Sequence, residues 1–238
     1  MVEATLTQEN AVVILSKTMS YLNPSHVPYI SGATVTISYN ENSYTLTEDS
    51  VGFYSIKHNF PIETKYILSV VIDSDSITAE SYMPKPILWD SVTVDYSEFS
   101  NWYTPEDSLA KLYDLFAYIT DPKGTHNYYK LRYYVNDTLS SSNVTCDDLF
   151  DGQQIRIATY VDEFKETDTA KLYLESIDKG AYDFYNTLAS SNSSSGLFSA
   201  PDNPKSNLIG GALGRFYAYS VDSVLIVFNG KATFYSQK

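Results

Sequence analysis

The chain is poor in cysteine and in positive charge, and each shortage excludes something. It holds 238 residues and one cysteine, Cys146. A lone cysteine closes no intrachain disulfide and cannot build a multi-cysteine metal site. Its setting, "NVTCDDLF", is acidic, which opposes a reactive thiolate and marks it as inert. Sixteen Lys and Arg stand against 29 Asp and Glu, a formal net charge of -13. A surface that acidic repels phosphate backbones, so no nucleic-acid partner is expected. No block of like charge stands out, and the acidity reads as a solvated face.

Other absences narrow the chemistry. No apolar run approaches the length of a membrane span. The three histidines, His26, His58 and His126, are too far apart for metal-ligand spacing, and there is no H-E-x-x-H. Each reads as a solvated loop histidine. There is no G-x-S-x-G nucleophile elbow and no EF-hand loop. The chain opens on "MVEATLTQENAVVILS", which alternates like a strand and has no signal-peptide pattern. No catalytic residue, cofactor or resident metal is expected, and the chain reads as a non-enzyme.

What the sequence has in abundance is aromatic residues, 15% of the total with 22 tyrosines. Aromatic and β-branched residues favour strands. Period-two alternation runs through the first third. "ATVTISYN" puts Val35, Ile37 and Tyr39 on one face, "YTLTE" puts Tyr44 and Leu46 on one face, and "YILSVVID" repeats the pattern with Tyr66, Leu68, Val70 and Ile72. Short strands separated by turn signals predict a β-sandwich. "MPKP", residues 83–86, reads as a linker, because two prolines cannot sit in a central strand. Alternation resumes in "NYYKLRYYVND", with Tyr128, Lys130, Arg132 and Tyr134 on the polar face, and in "AKLYLESI". Helical spacing occurs in "SIDKGAYDFYNTLASS", with Ala181, Phe184, Tyr185 and Leu188 on one side and Asp178 as N-cap. Asn229-Gly230, between "VLIVF" and "KATFY", is a hairpin signal.

Three features invite a functional reading. "IGGALGRFYAYS" resembles a phosphate cradle, but it lacks the lysine and Ser/Thr of a P-loop. It also runs into a strand, Phe216 to Val227, where a P-loop would enter a helix. Gly210, Gly211 and Gly214 therefore read as turn or close-approach residues. "CDDLFDGQ" gathers Asp147, Asp148 and Asp151, a weak candidate for a structural cation such as calcium, against the plain alternative of an Asp-Gly turn. Trp102 and Tyr103 in a loop, with Tyr128 and Tyr134 on a polar strand face, are candidate contacts for a ligand or partner; half-buried strand tyrosines are the ordinary explanation.

The order of several segments is similar to domain-of-unknown-function family 4249. They are "SGATVTI…YTLTE", "GFYSI", "YILSVVID" and "ITAESYMP", then "ITDPKGTHNYYKLRYYVND", "DDLFDGQQI", "LYLESIDKGAYDFYNTL" and "NLIGGALGRFYAYSV". The resemblance implies an outer-membrane lipoprotein of Bacteroidetes-type bacteria, accessory to a TonB-dependent receptor. It supplies no catalytic residues. Membrane association would then come only from a lipid anchor that this sequence does not contain, since Cys146 is too far from the N-terminus to carry it.

The sequence therefore predicts a mainly β protein. An N-terminal Ig-like or transthyretin-like sandwich is expected over residues 1–84. A second, larger β-sandwich-like domain is expected over 87–238, with one short helix near 179–191. The expected function is non-enzymatic binding in the cell envelope. Two competitors stand beside it: a secreted carbohydrate-binding or carbohydrate-active protein, and a structural or adhesive surface protein. The carbohydrate-active reading requires two carboxylates in an aromatic-lined cleft.

Overall fold

A computed structural model describes residues 1–17, 27–96, 112–165, 167–193, 203–228 and 232–237. The strands are β1 (Val2–Leu6), β2 (Asn10–Leu15), β3 (Thr34–Tyr39), β4 (Asn42–Thr45), β5 (Thr47–Ser50), β6 (Phe53–Lys57), β7 (Thr64–Ile72), β8 (Asp75–Met83), β9 (Ser91–Tyr96), β10 (Leu112–Thr120), β11 (Tyr128–Val135), β12 (Thr138–Cys146), β13 (Gln154–Lys165) and β14 (Thr169–Ile177). Helix α1 (Lys179–Ser193) follows, then β15 (Leu208–Ile209), β16 (Gly214–Ala218), β17 (Ser220–Phe228) and β18 (Ala232–Gln237). The protein is mainly β, and no helix among the described residues is long and apolar enough to cross a membrane.

The chain forms two compact units. Unit 1 comprises Met1–Lys85 and Ile177–Ser220; unit 2 comprises Pro86–Ser176 and Val221–Lys238. This differs from a division into 1–84 and 87–238, because the segment from Ile177 to Ser220, helix included, belongs with the N-terminal sandwich. The reason is strand pairing. β15 adds to the edge of β8, and β16 lies parallel to β1 with Val2 opposite Gly214 and Leu6 opposite Ala218. Neither pairing leaves a local sequence signal, since the partners are about 130 and 210 residues apart.

Unit 1 has two five-stranded sheets, in the orders β16-β1-β2-β6-β5 and β15-β8-β7-β3-β4. Their inner faces share one core in which Val35, Ile37, Tyr66, Leu68 and Val70 are all buried. The alternation read from the sequence produces this face directly. "YTLTE" is not one strand. β4 pairs with β3 and β5 with β6, so the chain changes sheets at the buried Leu46. The β3–β4 hairpin turns on Asn40 and Glu41, both in the left-handed region, the type I′ geometry that matches strand twist.

Helix α1 starts where expected and extends to Ser193. Asp178 caps it, accepting from the Ala181 N–H at 2.8 Å. Its other oxygen accepts from the Tyr82 N–H (2.9 Å) and the Ser81 hydroxyl (2.6 Å), so one carboxylate fastens both the helix start and β8.

Unit 2 pairs a three-stranded sheet, β13-β10-β9, with a five-stranded one, β12-β11-β14-β17-β18. Leu115 and Ala117 from the first meet Tyr133, Leu172 and Ile226 from the second in a shared core. "FYAYSVDSVLIV" is likewise two strands, not one. β16 closes unit 1, and β17 enters unit 2 after Tyr219. β17 and β18 pair antiparallel, Ser223 opposite Gln237 and Phe228 opposite Ala232. Asn229 and Gly230 lie outside the described residues.

Candidate functional site

The glycine-rich stretch is a crossover between the two sheets of unit 1. Gly210, Gly211 and Gly214 have φ of 115°, 77° and 124°. A Cβ on Gly210 would fall on the Ser76 carbonyl oxygen, and one on Gly214 on the Val2 carbonyl oxygen. Glycine is needed for close backbone approach, and the stretch opens a strand, with no helix N-terminus to receive an anion. Arg215, the basic residue behind the glycines, lies against the rings of Phe184, Tyr185 and Tyr217 at 5.2, 5.2 and 5.7 Å from their centroids. It is part of an aromatic packing cluster. Asn207 secures the crossover: its side chain accepts from the Phe216 N–H (3.0 Å) and donates to the Phe216 and Glu80 carbonyls (2.6 and 3.0 Å).

The candidate contact aromatics have separate fates. Trp102 and Tyr103 lie outside the described residues, as does His26. Tyr134 is half-buried, edge-on to Tyr173, and accepts a hydrogen bond from Arg132 at 3.0 Å. The Arg132 guanidinium also lies 4.8 Å from the Tyr173 centroid. Beneath this face Glu175, fully buried, pairs with Lys130 Nζ (3.2 Å) and Arg132 Nε (2.5 Å). Lys130 is itself buried, so what looked like a polar strand face is an internal ion network. His58 is also no solvated loop histidine. Its ring lies 4.2 Å from that of Tyr44, and its Nε2 is 3.0 Å from the Tyr39 hydroxyl.

Tyr128 meets His126 edge to face, with ring centroids 4.8 Å apart. It thereby helps position the histidine at one end of unit 2, where two loops converge on the buried carboxylates of Asp121 and Asp147. Asp121 accepts from the Tyr129 hydroxyl and, at 3.0 Å, from the Gly152 N–H. Burial, with the Asp121 hydrogen bond adding to it, pushes the Tyr129 hydroxyl far above its usual range and keeps it a donor. Asp147 Oδ2 accepts from the Asn127 N–H at 2.7 Å, and Asp151 accepts from the Gly124 N–H at 2.7 Å. Asp147 is thus shared by two groups, one with His126 and Asp148 and one with Asp121 and Asp151; Asp148 and Asp151 are not grouped with each other, and sequence spacing could not connect His126 or Asp121 to them.

Sequence reasoning passed over Trp89. The other tryptophan of the chain stands three residues past the proline linker and two before β9. It lines a recess of about 310 Å³ with Asp90, Val92, Asp222 and Val224, and Ser91 and Ser223 on its walls. Val92 and Val224 belong to the core of unit 2 and make the lining rigid. The Trp89 N–H donates to Asp222 at 2.8 Å. Asp90 accepts from the Thr120 hydroxyl (2.7 Å) and the Gln154 amide (2.9 Å). The indole Nε1 is buried without a hydrogen-bond partner, a cost of about 1–3 kcal/mol. The available signal was the Trp-Asp pair at the end of a linker.

Fold and recess together define a protein built of β-sandwich units, the second of which presents a small, mostly apolar recess with two carboxylates between β9 and β17. By sequence the chain belongs to the family described as Domain of unknown function (DUF4249), whose model matches residues 1–224. No curated protein matches it. Among solved structures it is similar to the chicken CNTN1 FN1-FN3 domains, at 13% identity and a TM-score of 0.28. That similarity covers 75% of this chain and 58% of the other.

Proposed function

We propose that the protein is a non-enzymatic binding protein of the cell envelope, accessory to a TonB-dependent outer-membrane receptor, and that its recess takes a sugar-like ligand. The observation that carries the ligand class is the grouping of the Trp89 indole with the Asp90 and Asp222 carboxylates in one rigid recess. An indole wall packs against the C–H face of a pyranose, and carboxylate oxygens accept from its hydroxyls. The envelope setting rests on what the resemblance to the family implies; the acidic charge separately disfavours a nucleic-acid partner.

The test is calorimetric titration of wild type and Trp89→Ala with a panel of neutral oligosaccharides, alongside capture from envelope membranes. Saturable binding by wild type, weakened tenfold or more in Trp89→Ala, supports the reading, together with co-purification of a receptor-type barrel. If no glycan binds and no barrel is retained while other membrane complexes are, the proposal fails. A carbohydrate-active enzyme is the second reading, because two carboxylates share an aromatic-lined recess. Its mark is release of reducing ends that Asp90→Asn or Asp222→Asn abolishes.

A further inference from the structure

We propose that the loop corner of unit 2 carrying His126, Asp147 and Asp148 binds a divalent metal ion of the zinc class through one imidazole and two carboxylates. The ligand atoms these residues offer all lie within 4.8 Å of one another.

Asp147 is the anchor. Its side chain is 2% exposed, and its two oxygens differ. Oδ2 is held by Asn127, from the backbone N–H at 2.7 Å and from the side-chain amide at 3.3 Å. Oδ1 is buried and has no hydrogen bond. A buried carboxylate oxygen without a donor is costly unless a cation or proton meets it. Its near neighbour, His126 Nδ1 at 2.9 Å, is close but makes no hydrogen bond to it. The two atoms face each other outside hydrogen-bonding geometry, and a cation placed between the ring and the carboxylate would supply the partner that Oδ1 lacks.

The remaining groups sort themselves. Asp121 and Asp151 are taken up by Tyr129, Gly152 and Gly124, so they brace the two loops. Asp148 Oδ1 lies 3.5 Å from His126 Nε2, on the open side of the ring. His126 and Asp148 side chains are 52% and 65% exposed; His126 rests edge-on against Tyr128 and Asp148 accepts from the Cys146 thiol at 3.2 Å, so closure onto the fixed Asp147 takes a side-chain rotation of each. Zinc takes imidazole nitrogen and carboxylate oxygen at about 2.0–2.2 Å. Calcium prefers six to eight oxygens, and a mixed nitrogen and oxygen set favours the zinc class. The site joins residues from either side of the β11–β12 hairpin. Asp151, expected among the ligands from sequence, is a brace, and His126 takes its place.

The test uses the chelator-treated full chain titrated with Zn²⁺, and in parallel with Ca²⁺. The expected result is saturable 1:1 Zn²⁺ binding with a rise in melting temperature. His126→Ala and Asp148→Ala, both at exposed positions, should weaken it tenfold or more while leaving the circular dichroism unchanged. Co²⁺ should give a visible absorption band that His126→Ala abolishes. The proposal is overturned if Zn²⁺ neither binds at 1:1 nor shifts melting. It is equally overturned if His126→Ala binds Zn²⁺ like wild type, or if Ca²⁺ binds as tightly as Zn²⁺.

Discussion

The two units bury different things. Among the described residues, the polar side chains buried in unit 1 are three serines, Ser16, Ser81 and Ser220. Unit 2 buries Asp121, Lys130, Asp147, Asp168 and Glu175 as well as Ser176. Unit 1 has one continuous apolar core, whereas the core of unit 2 is split into two clusters. Unit 1 is therefore held by apolar packing and by a late segment that completes both of its sheets. Unit 2 depends on charges taken out of water, each of which must be paired. Buried charge is expensive, and it concentrates where a protein has chemistry or specificity to maintain. The same unit holds the recess at Trp89 and the carboxylate corner at Asp147.

Removing a buried charge should break the contrast most strongly. Glu175→Ala takes the carboxylate from between Lys130 and Arg132 and should destabilise the protein by about 3–5 kcal/mol. Urea unfolding followed by tryptophan fluorescence would read it, since Trp89 lies in unit 2 and packs against its core. A loss below about 1 kcal/mol would mean that the ion network is not what holds that sheet face.

Gly214→Val tests the opposite dependence. It places a branched side chain at a φ of 124° and against the Val2 carbonyl. The expected cost is about 3 kcal/mol, and hydrogen exchange should show β1 and β16 opening together. Full protection of β1 in that variant would show that unit 1 does not rely on the late strand.

The smallest effect concerns the helix of unit 1. Burial alone would raise the Asp183 carboxyl, but hydrogen bonds from the Lys179 and Lys205 ammonium groups override it and hold it below its usual value. A lowered folded pKa means stability that is present above the ordinary carboxylate pKa of about 4 and is lost as pH falls through the lowered value. Both lysines are mostly exposed, so the contribution is under about 0.5 kcal/mol. Lys205→Ala should flatten the stability profile below about pH 4 and leave the profile at neutral pH within about 0.5 kcal/mol, as read by thermal melts across pH.

Much of this molecule is legible along the chain. Alternation alone places Val35, Ile37, Leu68 and Val70 inside a sandwich, and the spacing of Asp178, Ala181 and Phe184 marks a capped helix on its buried side. These are local properties, because the periods of strand and helix are set by backbone geometry within a few residues. The ordered segments that mark the family are of the same kind. Tertiary structure alone decided which unit the helix joins, where "YTLTE" and "FYAYSVDSVLIV" break between sheets, and why Gly214 has no room for a side chain. It also decided that Lys130 and Arg132 face an internal Glu175, and that His126 meets Asp147 from the next hairpin arm. Each of those depends on pairing between residues far apart in sequence. Such pairing is selected by the fit of whole sheets, and no local pattern records it.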